Sequence, residues 1–377
     1  MLRRGHMPTT TIAAADPRVQ APAEAGDGAG LALAIVLNCG SGHLETQERL
    51  QTLHGVLQAA GRRHEVFCID GQRPPAEVAA QAVDWAVAQG GAVVAAGGDG
   101  TLNTVAQALL PAGLPMGVLP QGTFNYFARN HGIPTNMEQA VHALLTARVQ
   151  PVQLGLLNDR VFLVNASLGL YPQLLQDRES FKKQFGRYRF NAMLAALGTI
   201  LRQHRQWTLE LDLGGRSVVV RTPTLFVGNN RLQLEQLGLA EAAAAGSLTA
   251  VMVKPVGRLG LLGLALRGAL GRLAEAANAV DFSFRRLTVT PAHGARGRRL
   301  RVALDGEVLT MRTPLTFAVS PTPLRLLVPA GDAQDVPAGG AAAREAGSDA
   351  ASGAASARAA PAVWAGAAGA AGAAGQP

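Results

Sequence analysis

Gly97-Gly98-Asp99-Gly100-Thr101-Leu102-Asn103 carries the strongest chemical signal in the chain. It stands where an apolar run (91–96) gives way to a helical pattern (101–110). Glycines at such a turn let the backbone approach an oxyanion closely, and the free N–H groups at a helix start attract it. Asp99 adds a carboxylate that can hold a divalent cation or accept a proton. A second glycine turn, Asn38-Cys39-Gly40-Ser41-Gly42, follows the apolar run 31–38. A third segment, Pro120 to Arg129, follows the strand-like 115–119. It offers Gly122, Thr123 and Asn125 as hydrogen-bonding groups for phosphate or ribose, with Arg129 in support. Any one of these alone reads as an ordinary tight turn. Three of them at the ends of three strands converge on the rim where open α/β sheets bind ligands, and their shared chemistry is phosphate binding.

The elements that must position these turns alternate. Strand patterns at 31–38, 64–69, 91–96 and 115–119 are interleaved with helical patterns at 44–61, 75–89, 101–110 and 136–147. That rhythm predicts a doubly wound parallel sheet over residues 31–150. Beyond 150 the texture becomes strand-rich, with runs at 152–157, 160–167, 208–213, 217–227, 248–253, 281–290, 299–304 and 315–319. These predict a mainly antiparallel second domain over 151–319. Helical candidates near 180–204 and 257–276 interrupt it. Residues 1–30 and the Ala/Gly-rich 330–377 have too little bulky apolar surface to offset the entropy of ordering and are expected to be disordered.

The 377 residues carry a formal net charge of +8. The charge resides in the central part, because the first 30 residues are balanced and the tail is net acidic. A basic core suits phosphate-bearing ligands or an anionic membrane surface. Its Arg content is also compatible with genome composition alone. No helix-turn-helix, zinc or RNA-recognition signature is present, so nucleic acid is not an expected partner. Two cysteines in so long a chain exclude a disulfide scaffold. Cys39 and Cys68 read as reduced, and the compartment as cytosolic. No apolar run is long enough to span a bilayer, and no apolar segment follows Arg3 and Arg4 as a signal peptide requires.

Asn-x-x-Ser-Gly, GGDGT and Gly-Thr-x-Asn-x-x-Ala-Arg, in this order, resemble the diacylglycerol-kinase catalytic family of lipid kinases. Asn165-Ala-Ser-Leu-Gly169, Gly228-Asn229-Asn230 and Asp305-Gly306-Glu307 extend the similarity, which spans roughly residues 31–329. The resemblance implies an α/β nucleotide-binding domain followed by a β-sandwich that takes the lipid, as in lipid and NAD kinases. A last strand near 320–329 would return to the first domain, and the nucleotide would lie between the two. It implies ATP as phosphoryl donor and Mg²⁺. Asn38, Gly40, Ser41, Gly42, Gly97 through Thr104, Gly122, Thr123 and Asn125 would hold the nucleotide. Asp99 would engage Mg²⁺–ATP, and Glu307 would be the general base for the lipid hydroxyl. Taken without that resemblance, Glu307 reads as an exposed acid in an Asp-Gly hairpin turn.

Three positions depart from the family pattern. Thr104 and Tyr126 stand where members often have carboxylates, and Ala245 stands where an Asp helps hold a structural Mg²⁺ in bacterial members. An alanine cannot ligate a cation, so that metal site is expected to be lost. Asp70 aligns loosely with an adenine-side Thr. Two segments offer membrane contacts: 178–205, with basic and aromatic residues interleaved, and the leucine stripe of 257–276. The first equally suits a helix packed on the core, and the leucine stripe suits core packing better than a membrane face. The expected activity is ATP-dependent phosphorylation of a diacylglycerol-like or sphingoid lipid, by a cytoplasmic protein peripherally associated with the inner face of the membrane. The alternatives are a kinase of the GGDGT group acting on a soluble acceptor such as NAD, and a nucleotide- or lipid-binding relative without turnover. Pairing with a second copy of the chain is left open.

Overall fold

The computed structural model describes residues 30–40, 43–169, 206–236, 246–255, 257, 279–292 and 297–330. Five parallel strands and one antiparallel strand form the first sheet. They are β1 (Leu33–Asn38), β2 (His64–Ile69), β3 (Ala92–Gly97), β4 (Met116–Pro120), β5 (Arg148–Val152) and β18 (Leu324–Val328), in the order β2-β1-β3-β4-β18-β5. The run Leu33–Leu37 is apolar at every position because both faces of β1 are covered. Leu33, Ile35 and Leu37 pack with Leu53 and Leu57 of α1 (His43–Ala59) and with α5 (Met137–Leu145). Ala34 and Val36 pack on the other face, against α2 (Pro75–Gln89) and α3 (Asp99–Leu109). The chain leaves β1 toward β2 on one side and resumes at β3 on the other. The carboxyl ends of β1 and β3 therefore flank the topological switch point, the crevice where such sheets bind ligands.

The rest of the chain forms two six-stranded sheets. One has the order β10-β9-β14-β17-β6-β7, from β6 (Gly155–Leu157), β7 (Arg160–Phe162), β9 (Trp207–Asp212), β10 (Ser217–Thr222), β14 (Arg286–Pro291) and β17 (Leu315–Val319). The other has the order β13-β12-β11-β8-β15-β16. Its strands are β8 (Asn165–Gly169), β11 (Thr224–Gly228), β12 (Leu248–Val253), β13 (Ala279–Phe284), β15 (Arg299–Leu304) and β16 (Glu307–Arg312). Phe162, Leu211, Leu287 and Phe317 of the first share one core with Leu168, Leu225, Ala250 and Val302 of the second.

Three runs expected as single strands are each two strands that pass from one sheet to the other. The breaks fall at 163–164, at Pro223 and at Arg285. Both sheets turn apolar faces to one core, so the sequence pattern continues across the corner and conceals it. Two strands were not expected. Arg148-Val-Gln-Pro-Val152 is polar and holds a proline, which its place at a sheet edge tolerates. Glu307–Arg312 is an exposed edge strand as well. Residues 1–29, 170–205, 258–278 and 331–377 lie outside the described residues, so the two candidate membrane segments and the expected disordered ends do too.

One expectation is overturned. Cys39 and Cys68 are joined as a disulfide. Parallel pairing sets Leu37 opposite Cys68, and Cys39 N–H donates to the Ile69 carbonyl at 3.0 Å. The two Cα atoms are consequently 5.7 Å apart, within bridging range. Sequence reading counted the two cysteines but had no means to see that two adjacent strands end on them.

Candidate active site

The first turn of α3 is the centre of the site. Sequence patterning started this helix at residue 101, whereas it starts at Asp99 with an extended Gly98 as its cap. Two close approaches require glycine here. A Cβ on Gly97 would strike the side chain of Thr101, and one on Gly122 would lie 3.2 Å from Gly98 Cα. The turn after β3 and the turn after β4 therefore touch backbone to backbone, and Gln121 N–H donates to Gly97 O at 2.8 Å. Asn38 closes β1 on the other side of the crevice. Its Oδ1 accepts Gly40 N–H at 3.1 Å, which shapes the second glycine turn. Ser41 and Gly42 lie outside the described residues.

Not every residue of the GGDGT segment faces the crevice. Leu102 is buried in the core and its N–H donates to Gly98 O. Thr104 Oγ1 donates back to the Gly100 carbonyl at 3.0 Å. Asn103 Nδ2 donates to the Val161 carbonyl at 2.7 Å and to Asp305 Oδ2 at 2.8 Å, so Asn103 clasps the second domain. Asn125 sits at φ 48° and exchanges hydrogen bonds with the Gly122 backbone in both directions. That internal pairing makes it the frame of its loop and leaves exposed Thr123 as the loop's outward hydroxyl. The segment's free anion-binding groups are therefore the early N–H groups of α3, as helix geometry dictates.

Asp99 Oδ1 is buried and has no hydrogen-bond partner. Burial, reinforced by the nearby Asp305 charge, pushes the Asp99 carboxyl up to about 6. A buried carboxylate oxygen with no donor is the arrangement a divalent cation completes, so Asp99 fits the Mg²⁺–ATP role. Tyr126, of α4 (Tyr126–Asn130), is near enough to Asp99 that the two charges interact. Burial raises the Tyr126 phenol, Arg129 opposes the rise, and Asp99 adds to it. Phe124 stacks on Tyr126 with ring centres 5.5 Å apart. Phe124 and Tyr126 thus set an aromatic pair beside Asp99.

Glu307 reaches the site from the second domain. A Cβ on Gly100 would lie 2.5 Å from Glu307 Oε1 and 3.3 Å from its Cδ. Its carboxylate therefore rests against the first turn of α3, which is also where a phosphate would be held. The residue that places it is Asp305, at φ 46° in the β15–β16 turn. Asp305 accepts Leu163 N–H at 2.7 Å, Val164 N–H at 2.8 Å, Asn165 N–H at 3.0 Å and Asn103 Nδ2 at 2.8 Å. Burial raises its pKa, and these donors partly offset the rise. Sequence reading matched Asp305 only as part of a motif. Nothing in the spacing showed that it ties the break between β7 and β8 to α3. Arg49 was also missed. It reaches from α1 to Gln121 Oε1 at 3.3 Å, a cation on the rim of the crevice.

Asp305→Asn tests this tie. Asparagine tolerates the left-handed backbone, so the change isolates the hydrogen bonds. It turns an acceptor into a donor facing buried N–H groups, which is expected to lower unfolding free energy by about 2–4 kcal/mol in urea titrations. An unchanged midpoint would remove Asp305 as the organiser of the junction.

His131, next to Phe127 at the end of α4, gives a pH signature. Burial pushes its imidazole down to about 4 from an ordinary 6.5. Between those values the unfolded chain binds the proton and the folded chain does not. Its contribution is therefore complete above pH 6.5 and is lost as the pH falls through 4. Asp99, raised from 3.8 to about 6, acts in the opposite sense over part of that window. The His131 share is read from the stability difference between wild type and His131→Gln. That difference should shift by about 3 kcal/mol against the wild type between pH 7 and pH 4. Parallel curves would contradict it.

Comparison with known proteins shows the family. Residues 32–157 match the diacylglycerol kinase catalytic domain family. The chain is 32% identical over 317 residues to the "Probable lipid kinase YegS-like" of Pseudomonas aeruginosa UCBPP-PA14, covering 76% of this chain and 96% of that one. It is 31% identical over 246 residues to the Pseudomonas putida protein of the same name, covering 63% and 77%. A crystal structure of a diacylglycerol kinase from Bacillus anthracis shares the fold at a TM-score of 0.57. Its sequence identity is 16%, and the match covers 79% of this chain and 96% of that one. The chain belongs to the diacylglycerol kinase catalytic-domain family and is a kinase of the lipid type.

Proposed function

We propose that this protein transfers the γ-phosphoryl group of ATP to a hydroxyl of a diacylglycerol-like or sphingoid lipid at a membrane surface. The observation that carries the reading is the meeting of two carboxylates from two domains at one helix start. Asp99 opens α3 with an unpartnered buried oxygen, and Glu307 packs against Gly100 one residue on. The glycine turns and the early N–H groups of α3 hold the phosphates, with exposed Thr123 and Arg49 at the rim. Asp99 would hold Mg²⁺, which would supply charge neutralisation for the transfer. Glu307 takes the proton from the acceptor hydroxyl as its oxygen bonds to the γ-phosphorus and the bond to the β-phosphate oxygen breaks, releasing ADP. Such a transfer needs positioned charge more than covalent help.

Within this reading the protein works peripherally on a membrane surface; the bridged Cys39 and Cys68 withdraw the reduced-cysteine argument for the cytoplasm. No helix among the described residues is long and apolar enough to cross one. Ala245, the position expected to remove a structural Mg²⁺ site, lies outside the described residues. Offering a lipid extract and NAD side by side, with ATP and Mg²⁺, tests the acceptor class. Product in the lipid phase supports the proposal. Product on NAD alone assigns the site to a soluble acceptor.

A further inference from the structure

Cys39 and Cys68 are the two cysteines of the chain, and their bridge lies beside the crevice. Cys68 is held within β2, where it pairs with Leu37. Cys39 stands just past Asn38, the last paired residue of β1, and opens the turn that leads to α1. Its backbone has two ties. Its N–H donates to the Ile69 carbonyl at 3.0 Å, and its carbonyl accepts Thr46 Oγ1, from the first turn of α1, at 3.3 Å. The same helix carries Arg49, whose Nη1 donates to Gln121 Oε1 at 3.3 Å. Gln121 belongs to the turn after β4, so that contact spans the carboxyl end of β3, which lies between β1 and β4. Cys39 therefore joins the edge of the sheet to the helix that sets the rim cation. Bonded sulfurs are about 2 Å apart, whereas two thiols need about 3.5–4 Å, so reduction drives the pair apart by about 1.5–2 Å. Cys68 is inside a ladder strand and Cys39 is not, so the movement falls on the Cys39 turn and, through Thr46, on α1 and Arg49. Both cysteines are half-buried, and β2 is the edge strand of the first sheet, so an external thiolate can reach them. Accessible bridges of this kind are the ones that thiol exchange opens and closes.

We propose that the Cys39–Cys68 pair is a redox switch of nucleotide affinity, with the bridged form the one that binds ATP tightly. The choice of ATP as the affected ligand rests on the kinase reading above. A thiolate of a Cys-x-x-Cys dithiol protein attacks one sulfur of the bridge, forming a mixed disulfide, and the other sulfur leaves as a thiolate that takes up a proton. The second thiolate of the dithiol protein then attacks the mixed disulfide and releases the remaining cysteine. The reductant's two thiols become its own disulfide, and their two electrons and two protons end on Cys39 and Cys68. Exchange with glutathione disulfide closes the bridge again and yields two molecules of glutathione thiol. The bridged turn is pre-organised for the phosphates, and ordering the reduced turn subtracts from the binding free energy.

The test is calorimetric titration of the full chain with ATP and Mg²⁺, after incubation with glutathione disulfide and, in parallel, with dithiothreitol. Thiol titration of the native protein should count no free thiol in the first sample and two in the second. The bridged protein should bind ATP about tenfold more tightly, and reoxidation should restore the affinity of the reduced sample. Cys39→Ser and Cys68→Ser should each bind like the reduced form in both buffers. Far-UV circular dichroism and urea titration of every sample report the fold separately. Equal ATP affinity with and without the bridge overturns the proposal. So does a protein that keeps two thiols under the oxidant. A reduced form that has lost its cooperative unfolding transition also overturns it, since the bridge is then a structural staple. ATP binding by neither form overturns the kinase reading and the switch with it.

Discussion

Asp99→Asn is expected to abolish phosphoryl transfer, by at least ~10³-fold, and to make the protein more stable at pH 7. The two effects share a cause. The Asp99 carboxyl is buried at the first residue of α3, one of its oxygens has no partner, and the Asp305 charge lies nearby. Its pKa therefore rises from 3.8 to about 6, so holding it ionised above pH 6 costs the folded state free energy. The unfolded chain ionises near 3.8, so that cost grows as the pH rises from there to about 6 and is complete above it. The isosteric amide removes the charge, and the stability at pH 7 should rise by about 2 kcal/mol, measured without nucleotide or metal. A group that costs stability and is required for turnover is what a functional site holds. Retained turnover in Asp99→Asn would take Asp99 out of the mechanism. Lost turnover together with lost stability would make it a structural residue.

Glu307→Gln should lower kcat by ~10²–10⁴-fold while ATP affinity stays nearly unchanged, the scale expected when a general base is lost. Glu307 stands on an exposed hairpin end, and glutamine keeps its length and an acceptor oxygen, so the fold should be preserved. Gly100→Ala gives a second approach to the same residue. The new methyl would lie 2.5 Å from Glu307 Oε1, too close for contact, and push the carboxylate away without altering it chemically. Gly100→Ala should therefore also lower kcat, and combining it with Glu307→Gln should add little, because both remove one positioned group. Calorimetric titration with ATP separates base from binding residue. If ATP affinity collapses in Glu307→Gln, Glu307 is a nucleotide ligand.

The parallel sheet was legible because its strands are covered on both faces. Leu33 to Leu37 and Ala92 to Ala96 are unbroken apolar runs that end on glycine turns, and the structure ends β1 and β3 at Asn38 and Gly97. The second half was legible as strands but not as sheets. Alternation tells which residues face a core. It does not tell that Pro223 or Arg285 carries the chain into the opposite sheet. At the site, residue types marked the turns correctly but not which groups are already engaged. Asn103, Thr104 and Asn125 look like ligand-binding side chains, yet each pairs within the protein. Asp305 looks like a turn residue, yet it collects four donors from two domains. The Cys39–Cys68 bridge escaped for the same reason, since a separation of 29 residues says nothing about adjacent strand ends.

The most direct test of the central claim follows the γ-phosphate. Purified protein is incubated with γ-labelled ATP, Mg²⁺ and a total-lipid extract in mixed micelles, with Asp99→Asn in parallel. Label in the organic phase with wild type and none with the variant is the predicted result, and the mobility of the product would identify the acceptor. Intact ATP binding with no label in the organic phase would contradict lipid phosphorylation.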